Sequence, residues 1–151
     1  MSVIISGTDG ITFPNSTTQV SAGQVLQVVN VVSTAQLNTS SLSYVATALT
    51  ATITPKFSTS KILVTVAGNI YGNLYATIYR NGTTDLSSTI YGFIGSNVTN
   101  VSTASATALD SPTTTSATTY TLYLKGGTTG ASPWWNIYNS STTITLMEIA
   151  G

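Results

Sequence analysis

The chain alternates. From Lys61 to Ile70, Ile62, Val64 and Val66 share one face of an extended segment, opposite Leu63, Thr65 and Ala67. The same two-residue period returns at Leu74–Arg80, Thr119–Lys125 and Thr143–Ile149. A period of two is the signature of strands with one buried face. Thirty Thr, together with abundant Val, Ile and Tyr, suit a pleated, half-buried surface. A single Glu, three Lys and one Arg leave almost nothing to form paired charges along an exposed helix. No helix of about ten residues or more can be placed, and parallel βαβ architecture is thereby excluded.

Further strands are read at Val25–Val32, Tyr44–Thr54 (stopped by Pro55), Ile90–Ile94, Val98–Leu109 and the short aromatic Trp134–Tyr138. Arg80-Asn81-Gly82-Thr83 reads as a tight turn, since Asn-Gly tolerates the positive φ that both central positions of a type I′ turn require. Roughly eight or nine strands spaced about 8–12 residues apart predict an antiparallel sandwich or barrel, with a jelly-roll-like β-sandwich the first choice. Residues 1–24 are broken by Gly7, Asp9, Gly10, Pro14, Asn15 and Gly23. They suit a short extended N-terminal arm ahead of a sandwich domain over 25–151.

Composition removes several function classes. Only 5% of the 151 residues are charged: Lys56, Lys61, Arg80 and Lys125 against Asp9, Asp85, Asp110 and Glu148, for a net charge of zero. Four scattered cations make no basic stripe, so neither nucleic acid nor anionic lipid is an expected partner. No apolar run approaches a membrane span, and the first residues lack the charged and apolar regions of a signal peptide. Without Cys there is no thiolate metal site or disulfide framework, and without His the commonest general base and metal ligand is missing.

Catalysis and cofactors are not expected. Fifty Ser and Thr hydroxyls have no imidazole to activate them. Asp9, Asp85 and Asp110 read as turn residues capping local backbone, and Glu148 as a strand residue paired with a lysine or placed at a subunit edge. No metal site is expected from four separated acids. Trp134, Trp135 and Tyr138 are the candidate glycan or receptor contact. Adjacent strand residues face opposite ways, so one Trp can be exposed while the other anchors the core; the competing reading buries both in the sandwich or an oligomer contact.

Four stretches carry a resemblance: Gly7-Thr8-Asp9-Gly10-Ile11-Thr12-Phe13 leading into Ser16-Thr17-Thr18-Gln19; Ile53-Thr54-Pro55-Lys56 followed by Ser60-Lys61-Ile62-Leu63-Val64; Asp110-Ser111-Pro112 with Thr114 to Tyr120; and Thr143 to Ile149. Together they resemble small fibre-like or decoration structural proteins of tailed bacteriophages, of the marine and cyanobacterial type. The resemblance implies a homotrimeric β-sandwich head on the virion surface. It implies docking to other capsid or tail proteins through the arm, where Val3, Ile4, Ile5, Ile11 and Phe13 are the apolar attachment candidates. It also implies a contribution to host-surface attachment, with a surface glycan as the candidate partner. Trimerisation would cover the second side of the Ile62 strand, where Leu63 and Ala67 also read as buried. The alternative is a carbohydrate-binding module using Trp134 and Trp135.

Overall fold

The computed structural model describes residues 23–151 throughout and, in the segment before them, the backbone of three short strands: β1 (Ile4–Ser6), β2 (Gly10–Thr12) and β3 (Thr18–Gln19). These three pair antiparallel with one another, Ile5 opposite Ile11 and Ile11 opposite Gln19. Of the attachment candidates, Ile4 and Ile5 fall on β1 and Ile11 on β2, whereas Val3 and Phe13 lie outside the described residues.

The remaining strands are β4 (Val25–Ser33), β5 (Leu37–Asn38), β6 (Val45–Ile53), β7 (Lys61–Arg80), β8 (Thr84–Asp85), β9 (Ile94–Asp110), β10 (Thr118–Gly126), β11 (Trp134–Trp135) and β12 (Thr142–Ile149). A single 3-10 turn, Ile137–Asn139, is the helical element among the described residues. All nine strands belong to one antiparallel sheet.

The spine of that sheet is β7. Along one edge it pairs in turn with β12 (residues 61–67), β11 (Ile70 and Tyr71) and β10 (74–80). Along the other it pairs with β9 over most of its length and with β8 at its end. β4 flanks β12, and β6 flanks β10. The two outer strands β4 and β6 then approach each other, where Gln27 Nε2 donates to the Thr54 carbonyl at 2.7 Å. The sheet therefore nearly closes into a barrel.

This corrects the two-sheet jelly-roll sandwich expected from strand spacing. The expectation split residues 61–80 into two strands, but they form one strand of 20 residues. Straight, it would run about 66 Å at roughly 3.3 Å per residue, whereas a globule of this size is about 36 Å across. The strand must coil. It does so at a register shift between Ile70 and Gly72, where Gly72 takes φ +88°, a conformation costly for any side chain. Both halves of β7 thus stay in one ladder instead of feeding two sheets. A second correction concerns Ile90–Phe93, read as the start of a strand but found ahead of β9 in a surface segment.

The inward faces are those the alternation specified. Leu49 and Ile53 of β6, Ile62, Val64, Val66, Leu74 and Ile78 of β7, Leu122 and Leu124 of β10, and Ile144 and Leu146 of β12 are all buried. Each such side chain contributes about 1.5–3 kcal/mol through burial. The Asn-Gly turn also forms as expected: Asn81 and Gly82 take φ 50° and 71°, and Thr83 N–H donates to the Arg80 carbonyl at 3.2 Å.

Two acids expected elsewhere close the barrel's interior. Glu148 is fully buried and has no lysine side chain as partner. Its carboxylate accepts from Gln27 Nε2 at 2.6 Å and from the backbone N–H groups of Lys56 and Phe57 at 2.7 and 3.4 Å. The Ser60 hydroxyl belongs to the same environment, although its geometry falls short of a hydrogen bond. Burial pushes the Glu148 carboxyl up, but the donors around it outweigh that and hold it below its ordinary value. Asp110, expected to cap its own turn, instead bridges Arg80 at 2.8 Å and accepts from the Tyr120 hydroxyl at 2.7 Å.

Candidate functional site

The Trp134–Tyr138 segment divides between core and surface. Trp135 pairs with Ile70 of β7 and is fully buried, its indole N–H donating to Thr142 Oγ1 at 2.8 Å. Thr142 Oγ1 passes the chain on to the Ala67 carbonyl at 2.8 Å. Trp135 is thus a core anchor and presents no face to a ligand. Trp134, on the opposite side of the strand, is half-buried opposite Asn38 and Tyr71.

Tyr138 is 75% exposed. Its backbone is held at φ 68°, with Asn136 at 62° and Asn139 at 54°. A bulky residue in this left-handed region is strained, and the strain is fixed by hydrogen bonds. Asn136 N–H donates to the Asn69 carbonyl at 2.8 Å, and Asn69 Nδ2 donates to the Ile137 carbonyl and to Ser140 Oγ. Beside this turn lies a concavity of about 430 Å³ among Asn69, Thr103, Ser105, Ser140, Ser141 and Thr143. It contains no charge.

The aromatic surface that alternation builds lies elsewhere. On the outer face of the barrel, Tyr75, Thr77 and Tyr79 of β7 run beside Thr121, Tyr123 and Lys125 of β10, with Lys125 directly opposite Tyr75. The Tyr79 and Tyr123 rings stack with centroids 4.2 Å apart. Tyr44, just before β6, tilts against Tyr79 at 6.2 Å, and Tyr75 against Tyr91 at 5.2 Å. Lys125 Nζ sits 4.7 Å from the Tyr44 ring centroid and 5.4 Å from that of Tyr75, a cation–π arrangement.

Residues 86–93 cross above this face and are pinned at both ends. Leu86 N–H donates to the Ile78 carbonyl and Phe93 N–H to the Ala76 carbonyl, each at 2.9 Å. Asp85 organises the start: its Oδ1 accepts from Thr77 Oγ1, Ser87 N–H and Ser87 Oγ, the local capping its position after the turn implied. Lys125 Nζ donates to the Ile90 carbonyl. At Gly92, φ is +70°, and a Cβ would collide with the Ala76 carbonyl oxygen and come within 2.7 Å of the Tyr44 hydroxyl.

Between this segment and the sheet lies an open groove of about 390 Å³, lined by Tyr44, Tyr79, Asp85, Ser88, Thr89, Ile90 and Lys125. Burial and the nearby Asp85 carboxylate push the Tyr44 phenol up to about 12 and raise Tyr79 in the same direction. The Tyr44 hydroxyl donates to the Ile90 carbonyl at 3.4 Å.

Among the described residues, no group of three or more His, Cys, Asp or Glu side chains is placed to hold a metal ion, and no helix is long and apolar enough to cross a membrane. Comparison with protein-family models and with curated proteins finds no match to this chain.

Proposed function

We propose that this chain is a non-enzymatic structural protein of a tailed-bacteriophage particle: a trimeric short fibre, knob or capsid-decoration subunit. Residues 1–24 fix it to other virion proteins, and its barrel is carried on the particle surface, where it contributes to host attachment.

One observation carries this reading. Across four strands the outer face of the barrel presents an apolar row, Val28–Met147–Leu63–Leu109, each residue directly opposite the next in the ladder. Val28 and Leu109 are 55% and 56% exposed. Beside the row runs a polar one, Asn30–Thr145–Thr65–Thr107, in which Asn30 Nδ2 donates to Thr145 Oγ1 at 2.7 Å and the two β7–β9 threonines pair at 3.3 Å. A contiguous apolar stripe on a sheet face favours burial against another surface. The two rows carry no charge of their own, Lys61 at the start of β7 being the cation that borders them, and an identical copy matches such a stripe in chemistry. Leu63, singled out in the sequence, is half-buried in the middle of the stripe.

The acids support a structural role. Asp110 and Glu148 are engaged in the barrel's interior, and Asp85 holds a surface segment.

Light scattering on the purified full chain tests the assembly: a species three times the 15.6 kDa chain mass is expected. Leu109→Glu should convert it to a folded monomer. Immunolabelling of phage particles tests the location. A monomeric wild type, together with particles that still incorporate a chain lacking residues 1–20, would overturn both halves of the proposal.

A further inference from the structure

We infer that the groove between residues 86–93 and the tyrosine face is a binding site for a neutral saccharide. The inference is independent of the chain's place in a particle.

Only eight of 151 side chains are charged, yet two of them, Asp85 and Lys125, line this one groove. Their opposite signs leave it without net charge. A cationic ligand would meet the ammonium of Lys125, already seated over the Tyr44 and Tyr75 rings where an aromatic cage would otherwise receive it. An anionic ligand would meet the Asp85 carboxylate. A neutral ligand rich in hydroxyls meets neither obstacle.

The polar groups are of both kinds that a polyol needs. Oδ1 of Asp85 is saturated by Thr77 and Ser87, while Oδ2 takes no hydrogen bond from the described residues and is left as an acceptor. Ser88 and Thr89 are exposed on the groove's rim and add hydroxyls that donate or accept. The Tyr79 phenol, which has no hydrogen-bond partner among the described residues, donates, while the Tyr44 hydroxyl already donates to the Ile90 carbonyl at 3.4 Å and offers a lone pair. Between them the tyrosine rings supply flat apolar surface of the kind that packs against the C–H face of a pyranose. A few convergent polar groups around an aromatic floor is the general form of a small-molecule site. The floor is rigid, since Tyr79 is braced by Tyr123 and Tyr44 by Lys125.

The test is an amide NMR titration of the full chain with four trisaccharides, built from glucose, galactose, mannose and N-acetylglucosamine units, each to about 50 mM. At least one should give saturable shifts confined to Tyr44, Tyr79 and residues 85–90, with a dissociation constant in the millimolar range. Asp85→Asn and Tyr79→Ala should each weaken that binding on the order of tenfold. Thr89→Trp is the variant that keeps the test decisive if those two disturb the fold. It removes only the exposed 3.4 Å hydrogen bond from Thr89 Oγ1 to the Gly92 carbonyl and fills the groove from its rim, so it should abolish the shifts while leaving the spectrum outside residues 86–93 in place. No saturable shift from any of the four sugars, shifts confined to the Asn69 concavity, or binding unchanged in Thr89→Trp would overturn the inference.

Discussion

Arg80 Nη1 lies 2.8 and 2.9 Å from the two carboxylate oxygens of Asp110, thirty residues away in the chain. Asp110 stands opposite Ile62 in the β7–β9 ladder, at the beginning of β7, while Arg80 is that strand's last residue. The ion pair therefore ties the last residue of β7 to the β9 residue that flanks that strand's beginning, and so holds the curl of the sheet. Tyr120, fully buried, donates to the same carboxylate, and burial followed by that hydrogen bond drives its phenol well above the ordinary tyrosine value.

Removing the acid should be costly. Asp110→Ala leaves a largely buried guanidinium and a buried phenol without their acceptor, and about 3 kcal/mol of stability should be lost. Tyr120→Phe removes one hydrogen bond and should cost about 1–2 kcal/mol. Urea unfolding of the two single variants and the double variant measures both effects. The sum of the single losses should exceed the double loss, because the partners share one carboxylate.

Acid sensitivity should trace to Glu148. Its carboxyl is held below the unfolded value of about 4.5. The stability it contributes is therefore complete above that value and is lost as pH falls through the lower, folded one. Thermal melts from pH 7 to pH 2 should show a steepening decline below about pH 4.5. Glu148→Gln should be less stable at neutral pH and should flatten that part of the profile, since its amide cannot titrate.

Gly92→Ala tests how the groove's cover is held. Added strain at positive φ and a collision with the Ala76 carbonyl should cost about 1–3 kcal/mol. Hydrogen exchange should rise first at Leu86 and Phe93, whose amides bond to Ile78 and Ala76, while Ile144 and Leu146 of β12 stay protected.

The two tryptophans should separate cleanly. Trp135→Ala opens a cavity against β7 and removes the donor to Thr142 Oγ1, for a loss of about 3–5 kcal/mol. Trp134→Ala, at a half-buried position, should cost markedly less. Denaturation midpoints of the two variants provide the comparison.

The amino-acid order alone determined which face of each core strand points inward, because alternation of Ile62, Val64 and Val66 with Leu63, Thr65 and Ala67 is a local property of the backbone's two-residue period. It likewise determined the Asn81-Gly82 turn, whose positive φ values are a local steric matter. It also placed Tyr75 and Tyr79 on one face of their strand, and Tyr123 and Lys125 on one face of theirs.

What it could not determine was which strands would lie side by side. β7 and β10 are separated by two intervening strands, and only their pairing brings the four side chains together on one face, where Tyr79 and Lys125 line the groove. The choice of barrel over sandwich, the fate of Trp135, and the partners of Asp110 and Glu148 belong to the same category. The first depends on whether β7 breaks or bends at Gly72, and all are settled by the packing of the whole sheet. Local periodicity states which way a side chain points, and tertiary structure alone decides what it meets.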